Sequence, residues 1–333
     1  MTTTAKAVGI IGLGTYYPEN IVTNKDLEKI LDTSDEWIVE RTGIRERRVA
    51  DQNTATSDLA TEAARKALAA AKIDAKDIDL IIVATATPDM FFPSVSCLVQ
   101  ANLGADNAAA FDLTAGCSGF VYALVTATQF IRTGVYRRIL VIGAETLTKI
   151  MDPTDRSTYV LFGDGAGAAV VAEVPQGYGV LGAHLGADGK GGDLLKVPAG
   201  GSRMPTSEET LRKRLHYTHM NGNEVFKFAS RIVNEASVKA LEDAHLTADK
   251  VDFLVPHQAN VRIIQSAAKR LKLPMEKVIV NIDRFGNTSA ASIPIALEEA
   301  IANGRVKPGD TVVLVAFGAG LTWAACVLRW WSA

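Results

Sequence analysis

Cysteine is scarce in this 333-residue chain: Cys97, Cys117 and Cys326 are widely spaced and odd in number. With no CxxC pair among them, neither a disulfide framework nor a zinc site is indicated. An excess of one charge is lacking too. The 35 Lys and Arg nearly balance 37 Asp and Glu, a formal net charge of −2, so nothing global points to nucleic acid or a membrane. Any basic recognition surface has to be local. Long apolar runs are also missing, since none approaches the roughly 18 residues of a bilayer span. The start, MTTTAKAVGIIGLGTYYPEN, has too short an apolar part and no cleavage-site pattern for a secretory leader. These absences point to a reduced, cytoplasmic compartment. HYTH at 216–219 has no further Cys or His to join it, so no metal site is expected.

What is present is an ordinary globular balance, 48% hydrophobic and 22% charged, enough for one large or two medium domains. Short β-branched runs alternate with helix-like segments. AVGIIGLG, AAAFDL, DLIIVATAT, RRILVIGAE, GAAVVAEV, VDFLVPH, KVIVNI and TVVLVAFGAG suit strands. SDLATEAARKALAAAK, NEVFKFASRIVNEASVKALEDA, NVRIIQSAAKRLK and SIPIALEEAIANG suit helices, as does the run after Cys117. The alternation predicts an α/β fold with helices packed on sheets. A stretch from about 184 to 220, rich in glycine and charge, reads as an irregular excursion between two halves.

The chain also repeats itself. KALAAAKIDAKDIDLIIV from Lys66 and KALEDAHLTADKVDFLVP from Lys239 each read helix, short loop, strand, with matched Lys, Ala, Leu and Asp positions. Nearly the same offset, about 170 residues, relates the helix ending at Gly134 to the one ending at Gly304. Duplication follows, with halves expected at 1–172 and 173–333. Under that offset Cys117, in DLTAGCSGF, corresponds to Asn287, in DRFGNTSAAS. Two-fold related, they would face each other from helix N-termini.

Cys117 sits at a tight strand-to-helix turn. Phe120, Leu124, Ala127 and Ile131 recur at helical spacing behind it, and Gly134 stops the helix. Unpaired N–H groups and the positive helix end would favour a thiolate there. His257, in VPHQAN, follows an apolar strand and precedes a helix, where α/β sheets tend to place their sites. His184, His216, His219 and His245 read as surface or filler. Cys, His and Asn in that order also describe papain-like hydrolases, and His257 follows Cys117 by 140 residues, within that family's range. The CGSCW context is absent, however, and a duplicated α/β chain is the wrong architecture. GIIGLG mimics part of a dinucleotide fingerprint but runs into TYYPEN and not a helix. FGDGAGA reads as a tight loop feeding a strand.

Together DLTAGCSGF, VPHQANVRII, DRFGNTSAAS, FGDGAGA and AFGAGLTW closely resemble β-ketoacyl-acyl carrier protein synthase III, over nearly the whole chain. The resemblance implies a thiolase-like five-layered αβαβα fold, built from two duplicated halves and paired as a homodimer. It implies decarboxylative condensation of an acyl-CoA primer with malonyl-acyl carrier protein, without a cofactor, since coenzyme A enters as part of a substrate. Cys117 would take the acyl group as a thioester. His257 and Asn287 would donate to the thioester oxygen as negative charge builds there. A Cys-His-Asn acyltransferase or hydrolase of the same fold is the alternative.

Further roles follow from the resemblance alone. Backbone N–H groups of Cys117 and Ala319 would hold the acyl-transfer oxyanion, with Ala319 standing where the family often has glycine. Trp37 and Arg156 would sandwich the adenine of coenzyme A, Thr42 would contact it, and Arg41 would meet phosphate. Gly222, Phe226 and Asn260 would line the pantetheine channel. Gln258, Ala259, Asn260, Val261, Arg262, Lys269 and Arg270 would meet the carrier protein. Phe92 would reach the partner subunit's acyl pocket. The charged stretch DEWIVERTGIRERR, with Arg45, Arg47 and Arg48 beside Arg41, suits phosphates on chemical grounds.

Overall fold

The computed structural model describes residues 6–332. Residues 1–5, part of the start read above for a leader, lie outside the described residues, as does residue 333. Nine strands build two main sheets: β1 Val8–Tyr16, β2 Leu80–Ala84, β3 Ala109–Leu113, β4 Arg138–Thr146, β5 Asp164–Glu173, β6 Gly179–Ala187, β7 Phe253–Pro256, β8 Thr311–Gly318 and β9 Thr322–Arg329. Seven helices matter for the argument: α1 Asp35–Thr42, α2 Thr56–Ala71, α3 Val95–Leu103, α4 Gly119–Arg132, α5 Gly222–Asp243, α6 Val261–Arg270 and α7 Ser292–Ala302.

The first sheet runs β1-β5-β4-β2-β3, the second β6-β9-β8-β7. Pairing follows one scheme in both. Two antiparallel neighbours (β1–β5 and β5–β4; β6–β9 and β9–β8) are followed by a parallel one (β4–β2; β8–β7). The first sheet adds the parallel edge strand β3. At the equivalent edge of the second lies only an isolated parallel bridge, Leu254 to Val278. KVIVNI therefore falls short of the strand its β-branched pattern predicts.

Strand faces alternate, and both faces are apolar, as expected for sheets covered on each side. Leu80, Ile82, Ile139, Val141, Val312 and Leu314 face a central core with α4 and α7. Ile81, Val83, Leu140 and Ile142 face α2 and α3. Val313, Val315 and Phe317 face α5 and α6. The layers are thus helices, sheet, helices, sheet, helices: the five-layered thiolase-like arrangement. Phe120, Leu124, Ala127 and Ile131 form the buried stripe of α4, at the spacing read from sequence.

Two local readings change. The glycine-rich FGDGAGA is not a loop, because β5 starts at Asp164. Small residues there admit α7 at close range: a Cβ on Gly167 would lie 2.6 Å from Pro294 Cβ. The excursion begins later than expected, because His184 to Ala187 belong to β6. Beyond it come a short 3-10 turn, a two-residue ribbon pairing Leu195–Lys196 with His219–Met220, and a five-residue helix, Glu208–Arg212.

Candidate active site

Equivalent turns deliver the chemistry from both halves. Cys117 sits in the 3-10 turn Gly116–Ser118 that leads into α4, and Asn287 precedes the 3-10 turn Ser289–Ala291 that leads into α7. His257 follows β7, its backbone N–H held by Val315 O at 2.8 Å. All three line one cavity of about 200 Å³, together with Gly222, Phe226, Ala259, Asn260 and Phe317.

Each side chain is fixed by a different neighbour. Asn287 is pinned through its backbone, donating to Leu161 O and accepting from Gly163 N. Its Oδ1 accepts the Ser289 N–H at 2.9 Å. A backbone N–H can only donate, so the Asn287 Nδ2 protons are left for the cavity. His257 packs edge-on against Phe317 at 5.4 Å, and its Nδ1 lies 2.7 Å from Ser292 Oγ. Burial alone pushes its pKa down to about 3, so the ring is neutral throughout the physiological range. A neutral imidazole still carries one N–H that can donate into the cavity.

Cys117 differs from the sequence reading. Burial pushes its thiol up to about 12, outweighing a hydrogen bond with Ser289, and the Glu145 carboxyl pushes the same way. The resting residue is a thiol and not the thiolate that the helix end alone would favour. Gly318, at the end of β8, closes directly over it: a Cβ there would lie 2.4 Å from Cys117 N. Ala319 follows with φ outside the left-handed region, so alanine fits. It lines a second cavity of about 260 Å³ that also touches Cys117.

That second cavity was not read from the sequence. Leu147, Met151, Phe162, Leu195 and Val197 give it apolar walls. They come from three separate segments, each an ordinary apolar residue when seen alone. Glu145 was also missed. It is fully buried, takes hydrogen bonds from Thr87 Oγ1 at 2.6 Å and Ala86 N at 3.1 Å, and has its pKa raised by burial. An acidic residue in the apolar strand RRILVIGAE was its available signal.

The expected ligand residues divide. Asn260 caps α6, accepts from Arg262 N, and donates to Arg41 O at 2.9 Å, tying α1 to the cavity mouth. Trp37 stands at that rim, with Arg156 stacked over its ring at 5.2 Å and Arg41 at 5.6 Å. Arg156 also pairs with Asp32. An adenine entering between Trp37 and Arg156 must displace this guanidinium. Thr42 is corrected: it is buried, its hydroxyl donating to Ile38 O and accepting from Ile44 N. Arg47 is buried as well, held by Asn24 Oδ1, Val22 O and Val160 O, and offers nothing to a phosphate.

Among the expected carrier contacts, Gln258 is the correction. It is buried and braces the strand end through Pro256 O, Ile279 O and Asn281 N. Val261 is half-buried, its Cβ only 2.8 Å from where a Cβ on Gly43 would lie. Arg262, Lys269 and Arg270 are exposed on α6. Arg262 and Lys269 stand about 20° apart around the helix, and Arg262 lies 3.6 Å from Glu40. Phe92 projects from its loop 84% exposed, next to Phe91 at 81%, and lines neither cavity of its own chain. Cys97 is exposed and Cys326 buried, both away from these cavities. Among the described residues no group of three or more His, Cys, Asp or Glu is placed to hold a metal ion, and no helix is long and apolar enough to cross a membrane.

Comparison with known proteins gives this geometry a family. Residues 111–189 match the model of 3-oxoacyl-[acyl-carrier-protein] synthase III, and residues 241–330 match that of its C-terminal region. The β-ketoacyl-[acyl-carrier-protein] synthase III of Caldanaerobacter subterraneus is 61% identical, over 97% of this chain and 98% of its own. That of Clostridioides difficile is 58% identical, over 97% and 98%. The solved structure of the Thermus thermophilus synthase III is 51% identical, with a TM-score of 0.91 over 98% of this chain and all of that one. With two family regions, near-complete coverage and one shared fold, the chain belongs to the 3-oxoacyl-[acyl-carrier-protein] synthase III family of condensing enzymes.

Proposed function

We propose that Cys117, His257 and Asn287 divide the family's reaction, the condensation of an acyl-CoA primer with malonyl-acyl carrier protein, into two half-reactions. In the first, Cys117 attacks the acyl-CoA carbonyl, the C–S bond to coenzyme A breaks, and the thiol proton ends on the departing CoA sulfur. Backbone N–H groups of Cys117 and Ala319 receive the transient oxyanion. The primer chain extends into the apolar cavity beside Cys117. In the second, malonyl-carrier protein loses CO2, and the enolate oxygen is held by His257 Nε2–H and Asn287 Nδ2–H. The carbanion attacks the carbonyl of acyl-Cys117, and the C–S bond to Cys117 breaks. The cysteine sulfur leaves as thiolate and regains its proton from water, and the product leaves as 3-oxoacyl-carrier protein. The meeting of Cys117, His257 and Asn287 in one cavity carries this reading.

The other parts of the site fit the same scheme. Gly222, Phe226 and Asn260 line the way in for pantetheine, with Trp37, Arg41 and Arg156 outside for the nucleotide. The exposed cations Arg262, Lys269 and Arg270 suit an acidic carrier. No cofactor enters this scheme, and its use of carrier protein and coenzyme A suits a cytoplasmic enzyme. A second copy of the chain suits the free edge of β3, where Ala109 and Phe111 are exposed, and the projecting Met90, Phe91 and Phe92. Phe92 would then enter the partner's acyl cavity and limit its depth.

Incubation with acetyl-CoA and malonyl-carrier protein, followed by mass analysis, tests the reading. Acetoacetyl-carrier protein with released CO2 is expected. Free acetate alone would mark a hydrolase that keeps only the acyl-enzyme step.

A further inference from the structure

We infer that Ser292 is a positioning residue that sets the tautomer of His257, and so decides which ring nitrogen meets the reacting thioester. The inference rests on the reading of His257 as an enolate donor. That role needs a proton on Nε2, the nitrogen that has no hydrogen-bond partner among the described residues, on a ring that lines the cavity. A neutral imidazole carries its proton on either nitrogen, and burial removes the third state in which both are protonated. Something has to choose between the two.

The hydrogen bonds at Ser292 make the choice. Its Oγ lies 2.7 Å from His257 Nδ1 and accepts the Gln258 backbone N–H at 3.4 Å. The amide can only donate, so one oxygen lone pair is used and the hydroxyl proton must go elsewhere. Buried helical hydroxyls in this protein usually send that proton to the carbonyl four residues back, as Thr42, Thr61, Thr128 and Ser237 do. Ser292, the first residue of α7, makes no such bond, and among the described residues Nδ1 is the remaining partner within hydrogen-bond distance. Were Nδ1 to carry the proton, the hydroxyl would face two donors and its own proton would be buried without an acceptor. That arrangement is disfavoured for a residue 2% exposed. The Ser292 O–H therefore donates to Nδ1, and Nε2–H points into the cavity.

The sequence relation adds weight. His257 comes from the end of β7, whereas Ser292 begins α7, the helix that follows Asn287 by one turn of 3-10 structure. One segment, 287–292, thus supplies the second donor directly and orients the first. Within those five residues Asn287 faces the cavity, and Ser292 stands behind the imidazole ring.

The test uses the intact enzyme labelled with nitrogen-15 histidine, with the His257 signals identified by their loss in His257→Ala. In the unaltered enzyme the proton should reside on Nε2. Ser292→Ala should move it toward Nδ1 or a mixture, and slow CO2 release from malonyl-carrier protein by about tenfold to a hundredfold. Acyl-Cys117 formation should stay within about threefold. Ser292→Thr, which keeps the hydroxyl, should restore both the spectrum and the rate. An unchanged spectrum in Ser292→Ala overturns the inference, as does a changed spectrum with an unchanged rate of CO2 release. Loss of rate that Ser292→Thr fails to restore also overturns it. Failure of the underlying donor reading shows separately, as CO2 release that survives His257→Ala.

Discussion

Gly318→Ala perturbs the nucleophile without replacing any side chain of the cavity. The added methyl would lie 2.4 Å from Cys117 N, 3.0 Å from its Cβ and 3.1 Å from its Cα. These atoms are backbone or next to it, so no rotamer change relieves the clash. Restoring an ordinary contact near 3.4 Å requires the 3-10 turn and the end of β8 to part by about 1 Å. Overpacking of this kind costs about 1–3 kcal/mol of stability, so the variant should fold with a lowered melting temperature. The effect on chemistry is larger, because displacement of a reacting group by about 1 Å costs on the order of a hundredfold in rate. It also draws the Cys117 and Ala319 N–H groups apart. Rapid-quench measurement of acyl-Cys117 from labelled acetyl-CoA, beside a thermal melt, reads both effects. Acylation within threefold of the unaltered enzyme would refute the argument that this close approach sets the oxyanion geometry.

Other outcomes follow from the charges. Since burial holds Cys117 near 12, its alkylation by iodoacetamide in the free enzyme should rise about tenfold per pH unit from about pH 7 to 9. A plateau below pH 8 would show that the helix end outweighs burial. For His257 the folded value of about 3 lies below the ordinary 6.5, so the unfolded chain takes up the proton first as pH falls. Stability should drop from about pH 6.5 toward 3, and His257→Asn should flatten that decline in urea unfolding; an identical slope would contradict the burial argument. Arg262→Glu should raise KM for malonyl-carrier protein, spare acylation by acyl-CoA, and lose its effect at high salt. Equal damage to both half-reactions would place the docking face elsewhere.

Much of the architecture was legible because the periodicities are strong. Phe120 to Ile131 shows its helix directly, and the Lys66 and Lys239 repeats announce two similar halves, which the parallel pairing schemes of the two sheets match. Strands dominated by small residues were harder to see: β6, GVLGAHLGA, has too little β-branched character to stand out from glycine-rich loop. FGDGAGA failed for the same reason. Burial was the main loss at the site. Thr42, Arg47 and Gln258 carry polar groups that a sequence offers to ligands, yet each is spent on backbone inside the fold. The environment of Cys117 was equally hidden, because the burial that Gly318 contributes to and the charge of Glu145 both come from distant segments. Ser289 and Ser292 stood within a quoted motif, but their partners became visible only in three dimensions.

The division of labour among Cys117, His257 and Asn287 is tested most directly by following acyl-enzyme and CO2 together in Asn287→Ala and His257→Ala. Asn287→Ala should still form acyl-Cys117, while decarboxylation falls by about a hundredfold to a thousandfold, the loss expected for one oxyanion donor. His257→Ala should behave alike, with at most a modest slowing of acylation. If both variants lose acylation as completely as Cys117→Ala, His257 activates the thiol, and the assignment of His257 and Asn287 to the enolate is wrong.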